Sequence, residues 1–321
     1  MGKSKIEWTE KTWNPVSGCS HVSEGCRNCY AERIFPRIYG RKFTDVALHY
    51  ERLKQPLAWK KPCMIFVNSM SDLFHEDVPD EFIDQVFGVM TISPWHTYQV
   101  LTKRPMRAQK YLSANRQNIL RDLNLQAAEL PGHTQHLNDF SAWQEKNEPE
   151  VIGFIEHWPL KNIWLGVSIE DQQTADERIP ILLQTTAAVR WVSIEPLLGP
   201  VDLNKRELLC REWRHGLTIG TYLDWVVVGG ESGPKARPMH PEWARSIRDQ
   251  CQATKVPFFF KQWGEFGPES LVDDNDNRTI NNACCHIAER GERLYRIGKR
   301  KAGRLLDGRE WNEYPKQDRN A

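Results

Sequence analysis

The sequence has no run of about 18 apolar residues, so nothing in it reads as a membrane span. It has no excess of one charge: 43 Lys and Arg face 42 Asp and Glu, a formal net charge of +1. No global field therefore advertises a polyanionic partner, although a local basic patch remains compatible with that average. There is no short repeat and no low-complexity tract. The first ten residues are polar and charged, so they cannot form the apolar core of a secretory signal, and a cytoplasmic, reducing location is expected. Eight cysteines in 321 residues are too few for a disulfide scaffold. Their distribution is uneven: Cys19, Cys26 and Cys29 crowd into eleven residues, while Cys63, Cys210, Cys251, Cys284 and Cys285 lie elsewhere. In a reducing compartment, such clustering points to metal or redox chemistry.

What is present is a recurring unit. Short apolar runs end repeatedly in polar residues: Met64-Ile-Phe-Val67 before Asn68-Ser-Met-Ser-Asp72, Tyr98-Gln-Val-Leu101 before Thr102-Lys-Arg104, and Ile163-Trp-Leu-Gly-Val167 before Ser168-Ile-Glu170. Val189-Arg-Trp-Val192 precedes Ser193-Ile-Glu195, Trp225-Val-Val-Val228 precedes Gly229-Gly-Glu231, and Val256-Pro-Phe-Phe-Phe260 precedes Lys261-Gln-Trp263. Runs of this length, rich in β-branched and aromatic residues, read as buried strands. Helical spacing lies between them, with Phe82, Val86 and Met90 after Pro79, and Trp243, Ile247 and Cys251 after Pro241. Alternating strands and helices predict a parallel sheet. Six such strands plus one near the N-terminus fit a full or partial (β/α) barrel, with an open doubly wound sheet as the rival. Residues 107–159 exceed one βα connection and read as a helical insertion, a lid or a surface for a partner protein. Residues 266–321 read as a C-terminal extension, so the expected domains are a barrel over 1–265 and that extension.

In such barrels the polar residues at strand C-termini gather on one face and build the site. The cysteine segment, Gly18-Cys-Ser-His-Val-Ser-Glu-Gly-Cys-Arg-Asn-Cys-Tyr30, has the spacing C-x6-C-x2-C. Three thiolates in one loop suit a soft metal or an iron–sulfur cluster. Zinc competes, since His21 completes a Cys3His set, and three ordinary buried cysteines are a third reading.

The segment from Trp13-Asn-Pro-Val-Ser-Gly-Cys19 through Cys29-Tyr-Ala-Glu32 resembles the phage-associated three-Cys-motif proteins, a radical SAM-like family. So do Leu101-Thr-Lys-Arg-Pro105, Gly166-Val-Ser-Ile-Glu170, Ser193-Ile-Glu-Pro-Leu-Leu-Gly-Pro200, Gly229-Gly-Glu-Ser-Gly233, Lys261-Gln-Trp-Gly-Glu265 and the tail from Gly303 to Pro315. The resemblance implies a partial (β/α) barrel of the radical SAM kind, with a [4Fe-4S] cluster on Cys19, Cys26 and Cys29. It implies S-adenosyl-L-methionine (SAM) as cofactor, cleaved to a 5′-deoxyadenosyl radical with an electron from an external donor. On that template Tyr30, Ser69, Ser71, Asp72, Ser168, Glu170, Ser193 and Glu195 surround SAM. The sequence departs from the commonest radical SAM spacing, C-x3-C-x2-C, and its aromatic Tyr30 follows the last cysteine instead of preceding it.

Residues 287–304 hold seven basic side chains against Glu289 and Glu292. Arg296, Lys299 and Arg300, with Lys103 and Arg104 at the third strand end, are the candidates for contacting a nucleic acid or nucleotide substrate. A solvated hairpin face is the competing reading. Two other function classes stay open. One is a zinc-stabilised nucleic-acid-binding protein; the other is a barrel hydrolase using Asp72 or the Glu170/Glu195 pair as acid and base.

Overall fold

The computed structural model describes residues 4–113, 133–147, 159–204, 209, 212–214, 217–219, 222–272, 285–287 and 293–316. The chain divides into two compact units. The first comprises Met1–Ser20, Ala31–Gly166 and Gln184–Val189, and the second His21–Tyr30, Val167–Leu183 and Arg190–Ala321.

In the first unit, strands β1 (Lys11–Trp13), β2 (Met64–Val67) and β3 (Thr97–Thr102) pair in parallel, with Trp13 opposite Val67 and Val67 opposite Val100. Strand β4 (Ile163–Ile169) follows β3 in the sheet order, and its last three residues belong to the second unit. There β5 (Val189–Ile194), β6 (Trp225–Gly229) and β7 (Phe258–Gln262) continue the order, with parallel β5–β6 and β6–β7 pairs. β4 and β6 are buried along their whole length, as expected of parallel strands covered on both faces. The seven described parallel-sheet strands, with helices between them, have the arrangement of a partial (β/α) barrel. The six runs read from the sequence are all strands here. The last starts at Phe258 instead of Val256, because Pro257 has no N–H for a sheet ladder.

The helices start and stop for local reasons. α1 (Tyr30–Tyr39) follows the cysteine segment. α2 (Asp80–Thr91) opens after Pro79 with Asp80 and Glu81 in its first turn, where the helix dipole favours anions, and it buries Phe82, Ile83, Val86, Phe87 and Met90. α3 (Pro105–Ser113) and α4 (His133–Asn147) occupy the described parts of residues 107–159; residues 114–132 and 148–158 lie outside the described residues. α5 (Gln172–Gln184) follows β4. α6 (Pro241–Thr254) has Pro241 in its first turn and His240 as its cap, Nδ1 accepting from the Glu242 N–H at 3.1 Å.

Beyond β7, β8 (Phe266–Pro268), β9 (Cys285–Ile287) and β10 (Arg293–Arg296) form a three-stranded antiparallel sheet in the order β8-β10-β9, and the short helix α7 (Lys299–Ala302) follows. The tail then returns to the free side of β7. The Phe260 N–H donates to the Trp311 carbonyl at 3.0 Å and the Glu313 N–H to the Phe258 carbonyl at 3.2 Å. Tyr314 stacks on Trp225 and Phe259. Among the described residues, no helix is long and apolar enough to cross a membrane.

Candidate functional site

Cys19 belongs to the first unit. Val16–Ser17 pairs antiparallel with Ala47–Leu48, and Gly18 then bridges to Ser71 just past β2. Gly18 has φ +91°, and a Cβ there would stand 2.6 Å from the Asp45 carbonyl oxygen, so only glycine fits this approach to Cys19. The Cys19 N–H donates to the Phe43 carbonyl at 2.8 Å, which fixes where the chain leaves.

The polar ends of β2 and β3 meet around Asp72. This carboxylate is 5% exposed and accepts from Thr102 Oγ1 (2.8 Å), the Lys103 N–H (3.0 Å), the Phe74 N–H (3.0 Å) and Arg104 Nη1 (3.3 Å). Arg104 Nη1 also donates to Cys19 Sγ at 3.6 Å, and Nη2 to Ser20 Oγ at 2.7 Å. His75 Nε2 meets the same hydroxyl at 2.8 Å. Burial, then the Arg104 charge, push the His75 pKa down, so it favours the neutral ring. The Ser69 hydroxyl donates to Asn14 Oδ1 (3.1 Å) and the Ser71 hydroxyl to the Val16 carbonyl (2.9 Å). Of the first-unit candidates, Asp72 and Arg104 therefore stand together beside Cys19, while Ser69 and Ser71 brace the segments flanking β1 and β2. Lys103 contributes its backbone N–H to Asp72.

The second unit holds Cys26 and Cys29 on one turn, with the Cys29 N–H donating to the Cys26 carbonyl at 3.1 Å and the Cys26 N–H to the Ser23 carbonyl at 2.9 Å. Two buried carboxylates anchor this turn. Glu170, at the end of β4 and 1% exposed, accepts from Ser23 Oγ at 2.8 Å and lies 3.3 Å from Arg178 Nη1. A Cβ on Gly25 would lie 2.2 Å from Glu170 Oε1, so glycine is what lets the turn close on that carboxylate. Glu231, after β6, accepts from Asn28 Nδ2 (3.1 Å), the Arg237 N–H (2.7 Å) and Arg237 Nη2 (2.7 Å). Burial works to raise the Glu231 pKa, but the Arg237 and Asn28 hydrogen bonds outweigh it and hold the carboxyl below the usual range. Arg237 Nη2 reaches the Glu24 carbonyl as well, at 3.0 Å.

Beside these anchors, Glu195 pairs with Lys261 Nζ at 2.8 Å and accepts from the Ser193 hydroxyl at 2.8 Å, while the Ser168 hydroxyl donates to the Glu195 carbonyl at 3.4 Å. Tyr30, first residue of α1, is exposed. Lys299 and Arg300 are exposed on α7, whereas Arg296 is half-buried: it stacks over Phe266 and donates to the Gly233 carbonyl at 2.7 Å. Arg290 and Cys284 lie outside the described residues. Trp13 and Trp263, expected to shield the site, are core residues at 0% and 2% exposure, with their indole N–H groups on the Arg52 and Leu305 carbonyls.

The residues that sequence reasoning missed are the partners of its candidates: Arg178, Arg237, Asn28 and Glu76. The available signal was an opposite charge within one βα unit, Glu170 with Arg178 and Glu231 with Arg237. Cys19, Cys26 and Cys29 are free thiols, all partly exposed, and as a donor set they suit a soft metal. Among the described residues, no three His, Cys, Asp or Glu side chains are grouped closely enough to hold a metal ion.

A family model described as "Protein of unknown function (DUF5131)" matches residues 3–315. A solved structure, "Spore photoproduct lyase complexed with dinucleoside spore photoproduct", is similar at 10% identity and a TM-score of 0.39, covering 91% of this chain and 69% of that one. Likeness at this level carries no argument about chemistry. No curated protein matches.

Proposed function

The chain belongs to the DUF5131 family, and from its three-cysteine segment we propose that it is a radical SAM-like enzyme holding a [4Fe-4S] cluster on Cys19, Cys26 and Cys29. When bound and reduced by one electron from an external low-potential donor, the cluster would supply that electron to break the C5′–S bond of SAM, giving methionine and a 5′-deoxyadenosyl radical. The observation that carries this reading is the C-x6-C-x2-C set of free, partly exposed thiols, placed where the chain leaves the first parallel strand. Because the donors do not form a metal-binding group without the ion, binding energy would order them, as it does where metal binding and folding are coupled.

The chain's own residues fix both parts of the cysteine segment. Gly18 and the Phe43 carbonyl set the position of Cys19, while Glu170, Glu231, Asn28 and Arg237 hold the Cys26–Cys29 turn. Ser168, Ser193, Glu195 and Lys261 are left as the polar strand ends that contact cofactor or substrate. Glu170 is already engaged by Ser23 and Arg178, which weakens the hydrolase alternative built on Glu170 and Glu195. Replacing any one of the three cysteines by alanine abolishes cluster assembly, read as iron content and the visible charge-transfer absorbance after anaerobic reconstitution. Stoichiometric zinc with no iron uptake in the wild type favours the zinc alternative.

A nucleic acid or nucleotide is the proposed substrate class, supported by the consecutive exposed Lys299, Arg300 and Lys301 on α7. Reversing these three charges to Glu lowers DNA or RNA affinity and flattens its dependence on salt by about one log unit per lost phosphate contact. Unchanged binding removes this substrate class.

A further inference from the structure

Arg104 is an arginine whose side chain is 5% exposed, placed two residues past the end of β3. Its guanidinium is shared among four neighbours of the first unit. Nε donates to both Glu76 oxygens at 3.0 and 2.9 Å, and Nη1 to Asp72 Oδ2 at 3.3 Å and Cys19 Sγ at 3.6 Å. Nη2 donates to the Ser20 hydroxyl at 2.7 Å and the Ser20 carbonyl at 3.4 Å. Only a planar fork with five N–H groups spans such a set; the ammonium of lysine is a point charge. The two carboxylates balance and aim the charge, and the contact left over falls on a cysteine sulfur. Burial works against the charged guanidinium, but Asp72 and then Cys19 outweigh it, so the cation is retained.

We propose that Arg104 is a positioning residue that sets the electron affinity of the metal centre held through Cys19. This rests on the cluster reading above. A positive charge and an N–H donor at a ligand sulfur both stabilise the centre carrying one more electron, since hydrogen bonds to sulfur and net charge are the protein's main controls over such potentials. In the one-electron couple the reductant's electron enters the cluster, no bond to protein forms or breaks, and the guanidinium keeps its protons. Arg104 thus makes the centre easier to reduce by a biological donor. Asp72 and Glu76 hold the fork in place and do not themselves act on the sulfur.

The test uses the full chain, reconstituted anaerobically with iron and sulfide, and titrated with dithionite against mediator dyes while the reduced cluster is followed by electron paramagnetic resonance. Arg104→Gln should fold, because Asp72 keeps three other donors, Thr102, Lys103 and Phe74. At equal iron content, its ratio of reduced to oxidised cluster at a fixed solution potential falls about tenfold, a midpoint lower by about 59 mV for one electron. Arg104→Lys, which keeps the charge, recovers most of that ratio. If Arg104→Gln takes up no iron, the double variant Asp72→Asn/Arg104→Gln removes the buried carboxylate with its partner, and its midpoint must still fall. A midpoint equal to wild type in whichever of these variants assembles overturns the proposal. A wild-type chain that takes up no iron overturns the cluster reading itself, a result distinct from an unmoved midpoint.

Discussion

Glu231 shows what the strand-end carboxylates do. Its side chain is 5% exposed, and its oxygens are divided between Asn28 in the cysteine turn and Arg237 in its own loop. An anion so enclosed is stable only while those donors remain. Glu231→Gln should cost about 1–3 kcal/mol in chemical denaturation at pH 7, the range for weakening a buried charged hydrogen bond. The folded carboxyl lies below its unfolded value of about 4.3, so its contribution is complete above that pH and is lost as the pH falls further. The gap between wild type and Glu231→Gln should therefore be constant from pH 7 to about pH 5 and close towards pH 3. A gap that does not change with pH would mean that the ion pair is not what holds the turn. Glu231 was legible in the sequence as a strand-end residue, but its partners were not. Arg237 lies in an irregular loop, and Asn28 sits 203 positions away, a pairing that only the fold creates.

At the scale of elements, the parallel strands were legible because strands covered on both faces must be continuously apolar, and each such run ends in polar residues. α2 and α6 were legible from four-residue spacing after a proline. The antiparallel sheet β8-β10-β9 and the return of the tail to β7 were less so, since three-residue strands carry too little periodicity and edge pairing is a matter of backbone groups. That return covers an edge strand that otherwise presents open hydrogen-bonding groups to other chains. The tail also supplies the Glu313 carbonyl to the Trp225 indole N–H at 2.8 Å. Ending the chain after Arg309 removes backbone bonds worth about 1 kcal/mol each and the Tyr314 aromatic contacts, about 0.5–1.5 kcal/mol more. The truncated chain should melt several degrees lower and aggregate with a rise in β-type infrared absorbance. An unchanged melting temperature would show that β7 needs no cover.

At the scale of the whole molecule, the order of elements sends the functional residues to strand ends, and each compact unit carries its own share. The first holds Cys19 with Arg104 and Asp72; the second holds Cys26 and Cys29 with their carboxylate anchors and the Glu195–Lys261 pair. The sequence made the cysteine spacing plain, because ligand spacing is a local property. It could not show that Glu170 is turned to structure and Glu195 to Lys261, since that choice depends on which side chain from another βα unit arrives beside each. The central claim is chemical: the three cysteines hold a redox-active cluster that opens SAM. The most direct measurement is 5′-deoxyadenosine release by the anaerobically reconstituted chain supplied with SAM and dithionite, alongside iron and sulfide content. The account predicts about four irons and four sulfides per chain and reductant-dependent 5′-deoxyadenosine that disappears in Cys26→Ala. A chain that binds stoichiometric zinc or no metal, or one that builds the cluster yet releases no 5′-deoxyadenosine, would contradict it.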